Sequence, residues 1–288
     1  MTSEKAVGYI GLGNIGKPSA AHLFKLDRPV VVFDLVEAAV AEMVELGARA
    51  ASDLADIAAS CDHIGICVRD GAQVESLLYG DAGLLAHAAP STVIAIHSTV
   101  EQAEIEKWSA DGAAKGVVVI DAPITGGSHG AEAAKLCYMV GADDETLARV
   151  TPIFETSAER IVHAGGVGTG IILKLCNNMM QYVEFTAMAE AAKMAEQCGL
   201  SVDLLREVGK SNGVVNEQMY MFAAGRKILA QGATEEMMQY FDAMGRLARK
   251  DLDCAIKTAS AKGVVMPQAN ELREIIEDVF LGRGDYQP

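Results

Sequence analysis

The rhythm of apolar and polar positions changes once along this chain. Up to about residue 165, short apolar runs rich in Val and Ile alternate with longer amphipathic stretches. This pattern predicts strands at 5–11, 29–33, 48–51, 63–68, 92–97, 117–120, 136–141 and 160–163. Helices are expected between them, from the glycines after the first strand to about Lys25, and at 36–46, 53–59, 71–79, 101–110 and 143–155. After Gly170 the strand-like runs stop. Sequence rich in Ala, Met, Leu and Glu predicts helices at 170–198, 201–209, 214–223 and 234–260, and a proline opens the last at 267–281. Alternating strands and helices imply a doubly wound, mostly parallel sheet, and the remainder implies an all-α domain. The expected division is 1–165 and 166–288, joined by the long helix that starts after Gly170.

Composition narrows the partners. The 288 residues are 50% hydrophobic and 22% charged, which is ample core for two domains. A formal net charge of −15 argues against nucleic acid or an anionic membrane surface, though a small anion answers to the field of its own pocket. No apolar run is long enough to span a bilayer. The first strand begins within a few residues of Met1, leaving no room for a secretory leader, so a cytoplasmic location is expected. Cys61, Cys67, Cys137, Cys176, Cys198 and Cys254 are scattered without a C-x-x-C pair and read as reduced core residues. The histidines show no ligand spacing, so no metal site is expected.

Chemistry concentrates in three stretches. Gly11-Leu12-Gly13-Asn14-Ile15-Gly16 is a G-x-G-x-x-G turn between a strand and a helix, and the next strand ends on Asp34. Glycines there admit a tight turn and let a pyrophosphate approach the helix N-terminus, while the carboxylate suits a ribose 2′-hydroxyl. Leu35 and Val36 follow Asp34 with no arginine, which favours NAD over NADP. Ligands in such folds sit beyond the carboxyl ends of the strands, which draws attention to Val68-Arg69-Asp70, His97-Ser98-Thr99 and 121–127. Asp121-Ala122-Pro123-Ile124-Thr125-Gly126-Gly127 reads either as a nest of backbone N–H groups for a carboxylate or simply as a turn. In the third stretch, Gly165, Gly166, Gly168 and Gly170 lead into a helix that carries Lys174, Asn177 and Asn178 on one face. A lysine there either snorkels to water or is held partly dry for a purpose, facing a cleft at the seam of the domains.

Together these segments resemble the β-hydroxyacid dehydrogenase family, which includes 3-hydroxyisobutyrate dehydrogenase and tartronate semialdehyde reductase. The resemblance covers essentially the whole chain and rests on GLGNIG at 11–16, DAPITGG at 121–127, GGVGTGIILKLCNN at 165–178 and KDLDCA at 250–255, in that order. It implies a Rossmann domain followed by an all-α substrate and dimerisation domain. It also implies interconversion of a small hydroxy acid and its semialdehyde, in either direction, with hydride moving to or from nicotinamide C4. Lys174 matches the family's catalytic lysine, which exchanges the proton of the substrate hydroxyl. Asn178 matches the asparagine that holds the substrate, joined by Ser98, Thr125, Gly126 and Gly127. The cofactor falls to Gly11, Leu12, Gly13, Asn14, Ile15, Gly16, Asp34, Val68, Arg69, Thr99 and Lys250, the last near both nicotinamide and substrate. A general base must be neutral to act, and partial burial beside a cationic ring favours the neutral amine. Arg69 replaces a proline found in many relatives, and His97 begins a run that also departs from the pattern. Those two and His129 are candidates for ligand contact or for ordinary surface and core positions. An intact Lys174 disfavours imine reduction, the intact motifs disfavour a non-catalytic scaffold, and the short helical half disfavours a decarboxylating sugar-phosphate enzyme. A homodimer or homotetramer is expected, with the Ala and Met faces of 179–198 as interface candidates.

Overall fold

A computed structural model describes residues 5–287, apart from the side chain at position 230. It divides into two compact units, one ending at Lys174 and the other beginning at Leu175. The first is built on strands β1 (Ala6–Ile10), β2 (Val30–Phe33), β3 (Arg49–Ala50), β4 (Cys61–Ile66), β5 (Val93–Ile96), β6 (Val118–Asp121), β7 (Ile124–Thr125), β8 (Leu136–Gly141) and β9 (Ala158–Gly165). Its helices are α1 (Gly16–His22), α2 (Glu37–Glu45), α3 (Leu54–Ser60), α4 (Gly71–Leu78), α5 (Leu84–His87), α6 (Gln102–Ala113), α7 (Gly127–Glu132) and α8 (Asp144–Phe154).

The strands form one sheet in the order β3-β2-β1-β4-β5-β6-β8, with β7 and β9 also paired to β8. From β3 to β6 every pairing is parallel, whereas β8 runs antiparallel to β6 and β7 and parallel to β9. The order reverses at β1, which lies between β2 and β4, and in such sheets that reversal opens a ligand crevice at the carboxyl ends. All four residues of β5 are buried, Val93 and Ala95 on one face and Ile94 and Ile96 on the other. A sheet covered on both faces explains why its strands read as continuous apolar runs rather than alternations. Helix starts are set locally: Asp53, Asp70 and Asp143 each accept an N–H from the first turn of the helix that follows.

Several expectations shift. β4 begins at Cys61, so Val68 lies past its end rather than in it. The loop expected after α4 contains α5. The loop expected at 121–127 is divided between β7, which pairs with β8, and the start of α7. These are short pieces fixed by tertiary pairing, and no periodic pattern announces them.

The second unit is helical. α9 (Thr169–Gln197) runs across the division, followed by α10 (Val202–Asn212), α11 (Glu217–Ala230), α12 (Glu235–Ala261) and α13 (Pro267–Leu281). α11 starts later than expected because Asn216 caps it, its side chain accepting from the Met219 N–H. The unit's core gathers Tyr182, Phe222, Ala248, Leu252, Ile276 and Phe280, with Phe185 stacked on Phe222 at 4.5 Å. No helix among the described residues is long and apolar enough to cross a membrane.

Candidate active site

The glycines at 11–16 have three different reasons to be glycine. Gly11 has φ +92°, and a Cβ there would stand 2.2 Å from the Cys67 carbonyl oxygen. A Cβ on Gly16 would meet the Gly11 carbonyl oxygen at 1.9 Å, so α1 can leave the turn this tightly only without a side chain. Gly13 would meet nothing within 4 Å. Two glycines therefore serve the chain's own packing, and the third keeps a surface clear. That is the cradle a pyrophosphate needs above a helix N-terminus.

Asp34 ends β2 beside this turn. Its Oδ2 accepts from the Leu12 N–H and its Oδ1 from the Val36 N–H at 2.8 Å. Both oxygens are thus oriented by backbone and retain lone pairs for a sugar hydroxyl. Leu35, beyond it, is 87% exposed. At the ends of β4 and β5, the Ser98 hydroxyl accepts from the Val68 N–H at 2.9 Å and donates to the Val68 carbonyl at 2.7 Å. Ser98 was expected at the substrate, and here its hydroxyl clips two loops together. Arg69 is exposed, with Nε 3.1 Å from Asp70. Thr99 is half-buried.

His97 resolves toward the core. It is buried, its Nδ1 bonds the Ala122 carbonyl, and its ring stacks on Tyr9 with Tyr138 and Phe154 edge-on. Burial pulls its pKa down to about 4, and burial together with the neighbouring His97 pulls His63 down to about 3. His129 lies exposed on α7. Thr125 is half-buried on β7, and Gly126 and Gly127 have φ +130° and +64°, which few other residues adopt.

Asp121, which sequence reasoning treated only as the start of a loop, has a larger part. It is fully buried at the end of β6. Its Oδ1 accepts from the Gly168 N–H and its Oδ2 from the Ile171 N–H, each at 2.7 Å. Gly168, just before α9, has no side chain to cap that helix, so a strand distant in sequence caps it instead. Burial pushes the Asp121 carboxyl above its ordinary range, and the backbone N–H groups pull it back. The fit is close: a Cβ on Gly141 would stand 2.3 Å from Asp121 Oδ1, and one on Gly170 would stand 2.3 Å from the Met139 carbonyl oxygen. Lys174 follows one turn into the helix so anchored, and it is the one buried lysine among the described residues.

In the second unit, Asn178 is buried and Asn177 exposed, so the face expected to carry both is split between two environments. Asn178 Nδ2 donates to Asp251 at 2.7 Å, and Lys250 Nζ lies 3.0 Å from the same carboxylate. Asp251 is a second acidic residue that sequence reasoning passed over. Its place inside the KDLDCA segment was the only signal. No group of three or more His, Cys, Asp or Glu residues among those described is arranged to hold a metal ion.

A family model described as the NAD binding domain of 6-phosphogluconate dehydrogenase matches residues 6–166. A second, described as NAD-binding of NADP-dependent 3-hydroxyisobutyrate dehydrogenase, matches 168–285. The chain belongs to the β-hydroxyacid dehydrogenase family. Within that family it is 33% identical to an NAD-dependent L-serine dehydrogenase of Pseudomonas aeruginosa, over 92% of this chain and 89% of the relative. It is 32% identical to a 2-(hydroxymethyl)glutarate dehydrogenase of Eubacterium barkeri, over 99% and 93%. Among solved structures, a 3-hydroxyisobutyrate dehydrogenase of Mycobacterium tuberculosis with L-serine superposes with a TM-score of 0.80 at 28% identity, covering 95% of this chain and 92% of that one.

Proposed function

We propose that this chain is an NAD-dependent dehydrogenase that oxidises a β-hydroxy acid to its semialdehyde and runs the reverse reduction through the same site, with Lys174 as general base and acid. The observation that carries this reading is the burial of a single lysine on a helix whose start is held by a buried carboxylate. In the oxidative direction neutral Lys174 takes the hydroxyl proton while the neighbouring carbon gives up its hydride, so an alcohol becomes an aldehyde and an ammonium is left. In reduction the ammonium returns that proton to the new alkoxide. Bound nicotinamide supplies the hydride acceptor or donor.

The other expected residues take supporting parts. The open surface at Gly13 and the carboxylate of Asp34 would hold the pyrophosphate and the ribose. Asp34, with no cation after it, would repel a 2′-phosphate, which supports NAD over NADP. Val68, Arg69 and Thr99 would border the cofactor, and Lys250 would lie near nicotinamide and substrate. Asn178 stands one turn beyond Lys174 on α9 and would hold the substrate with Thr125, Gly126, Gly127 and Ser98. Serine, 3-hydroxyisobutyrate and 2-(hydroxymethyl)glutarate, named for the relatives, share a hydroxymethyl group on the carbon that bears the carboxylate. That shared chemistry supports such a primary alcohol as this chain's substrate.

The nucleotide-binding domain is assigned to 1–165, which also lends Ser98, Thr125, Gly126 and Gly127 to the substrate. The substrate and dimerisation domain is assigned to 166–288, which lends Lys250 to the cofactor. Met194, Leu204, Val208 and Met221 are exposed in the helical part, which supports a second copy of the chain as partner. A monomer in sedimentation equilibrium would remove that partner. For the reaction, the protein is mixed with NAD or NADP and a panel of β-hydroxy acids, and NADH or NADPH formation is followed. Turnover on one acid, preferring NAD and falling about a thousandfold in Lys174→Ala, is expected. NAD binding without turnover on any acid or matching aldehyde would overturn the reading.

A further inference from the structure

Asp251 lies on α12 and is 3% exposed. Its Oδ2 accepts two hydrogen bonds, from Asn178 Nδ2 at 2.7 Å and from the Tyr182 hydroxyl at 2.8 Å. Both donors belong to α9, one helical turn apart. The other oxygen, Oδ1, lies at ion-pair distance from Lys250 Nζ, 3.0 Å, although no donor among the described residues meets it with hydrogen-bond geometry. All four residues belong to the helical unit.

Burying a carboxylate here is unfavourable, and the same volume filled with an apolar residue would stabilise α12 at least as well. What the acid adds is direction. A carboxamide has two ends of nearly equal size, one donating and one accepting, and packing alone does not choose between them. An ionised carboxylate only accepts, so it admits a single orientation, with the Asn178 nitrogen turned toward it. Tyr182 stays a donor because burial first, and the Asp251 charge second, raise its pKa well above the ordinary value. Asn177 Nδ2 lies 3.4 Å from Asn178 Oδ1, on the accepting end. The Asn178 side chain also hydrogen-bonds Tyr182, so its donor end is turned toward the Asp251–Tyr182 pair.

We propose that Asp251 is the positioning residue for Asn178, fixing which end of that amide meets the oxygens of a β-hydroxy acid. This rests on the reading above, in which Asn178 holds the substrate. Asp251 acts through Asn178 and need not touch substrate itself. Its acceptor-only chemistry is what the site requires, and a neutral amide in its place lets Asn178 turn either way.

The test is a double-mutant cycle on the full-length protein. Asp251→Asn is expected to raise KM for the hydroxy acid about tenfold, with a smaller change in kcat. NAD affinity is expected to change less than KM, because of the residues assigned to the nucleotide only Lys250, the ion-pair neighbour of Asp251, belongs to this unit. In an Asn178→Ala background the same substitution is expected to raise KM less than twofold, since the amide it orients is gone. Where Asp251→Asn does not fold, Asp251→Glu serves: it keeps the charge but displaces the oxygens, and should raise KM as well. A wild-type KM in the single variant, or an equal rise in both backgrounds, would overturn the proposal while leaving the dehydrogenase reading intact. An absence of turnover in the wild-type protein would instead overturn that reading, and this proposal with it.

Discussion

Two buried carboxylates hold α9, and they hold different things. Asp121, in the first unit, takes the backbone N–H groups of Gly168 and Ile171. Asp251, in the second, takes side-chain donors from Asn178 and Tyr182. A carboxylate on backbone groups fixes where a helix begins, whatever its side chains are. A carboxylate on side chains fixes the direction of particular functional groups and leaves the helix axis to packing. The first arrangement is a structural joint that places Lys174, and the second is an adjustment of one amide.

The difference has measurable consequences, beginning with stability. In Asp121→Ala two N–H groups at the start of α9 lose their acceptor and cannot turn away, so unfolding in urea should become easier by about 4 kcal/mol. In Asp251→Ala the Tyr182 hydroxyl can rotate and Asn178 can re-pair, and the loss should be about 2 kcal/mol. Equal losses would mean that both acids are joints of the same kind, and the distinction would fall.

A smaller effect separates the two units by pH. All six histidines precede residue 175, and His63 and His97 are buried neutral, with pKa values of about 3 and about 4 against an ordinary 6.5. Unfolded chains bind protons below pH 6.5 that the folded protein refuses. The stabilisation is therefore complete above pH 6.5 and is lost progressively as pH falls toward 4. The single tryptophan, Trp108, is buried in α6 of the first unit and reports on it alone. Its fluorescence should show unfolding free energy falling between pH 6.5 and 4 with a slope approaching two protons. His97→Phe should remove about one of them, and an unchanged slope would show that these rings are not the source.

The units also differ in how much their sequences disclosed. The alternation of strand and helix, the glycine turn and the end of β2 at Asp34 were legible because each answers to a local demand: a periodic pattern, a positive φ, an apolar run that stops. β7 and α7 were not, because a two-residue strand exists only by virtue of its partner, β8. Asp121 and Asp251 escaped for a related reason. They act across 47 and 73 residues of chain, and nothing near either residue marks what it will meet. His97 illustrates the opposite hazard: it stood beside a ligand-facing stretch in the sequence, yet its side chain turns into an aromatic core.

The clear space at Gly13 has a consequence for how variation in this chain would be scored. In a library sorted only by cellular abundance, alanine at 11 or 16 would be depleted by its clashes with main chain, while alanine at 13 would pass unnoticed. Sorted by turnover, all three would be depleted. On the reading proposed above, the middle glycine would answer to the nucleotide and not to the fold, and comparing the two screens would separate selection for being folded from selection for being an enzyme.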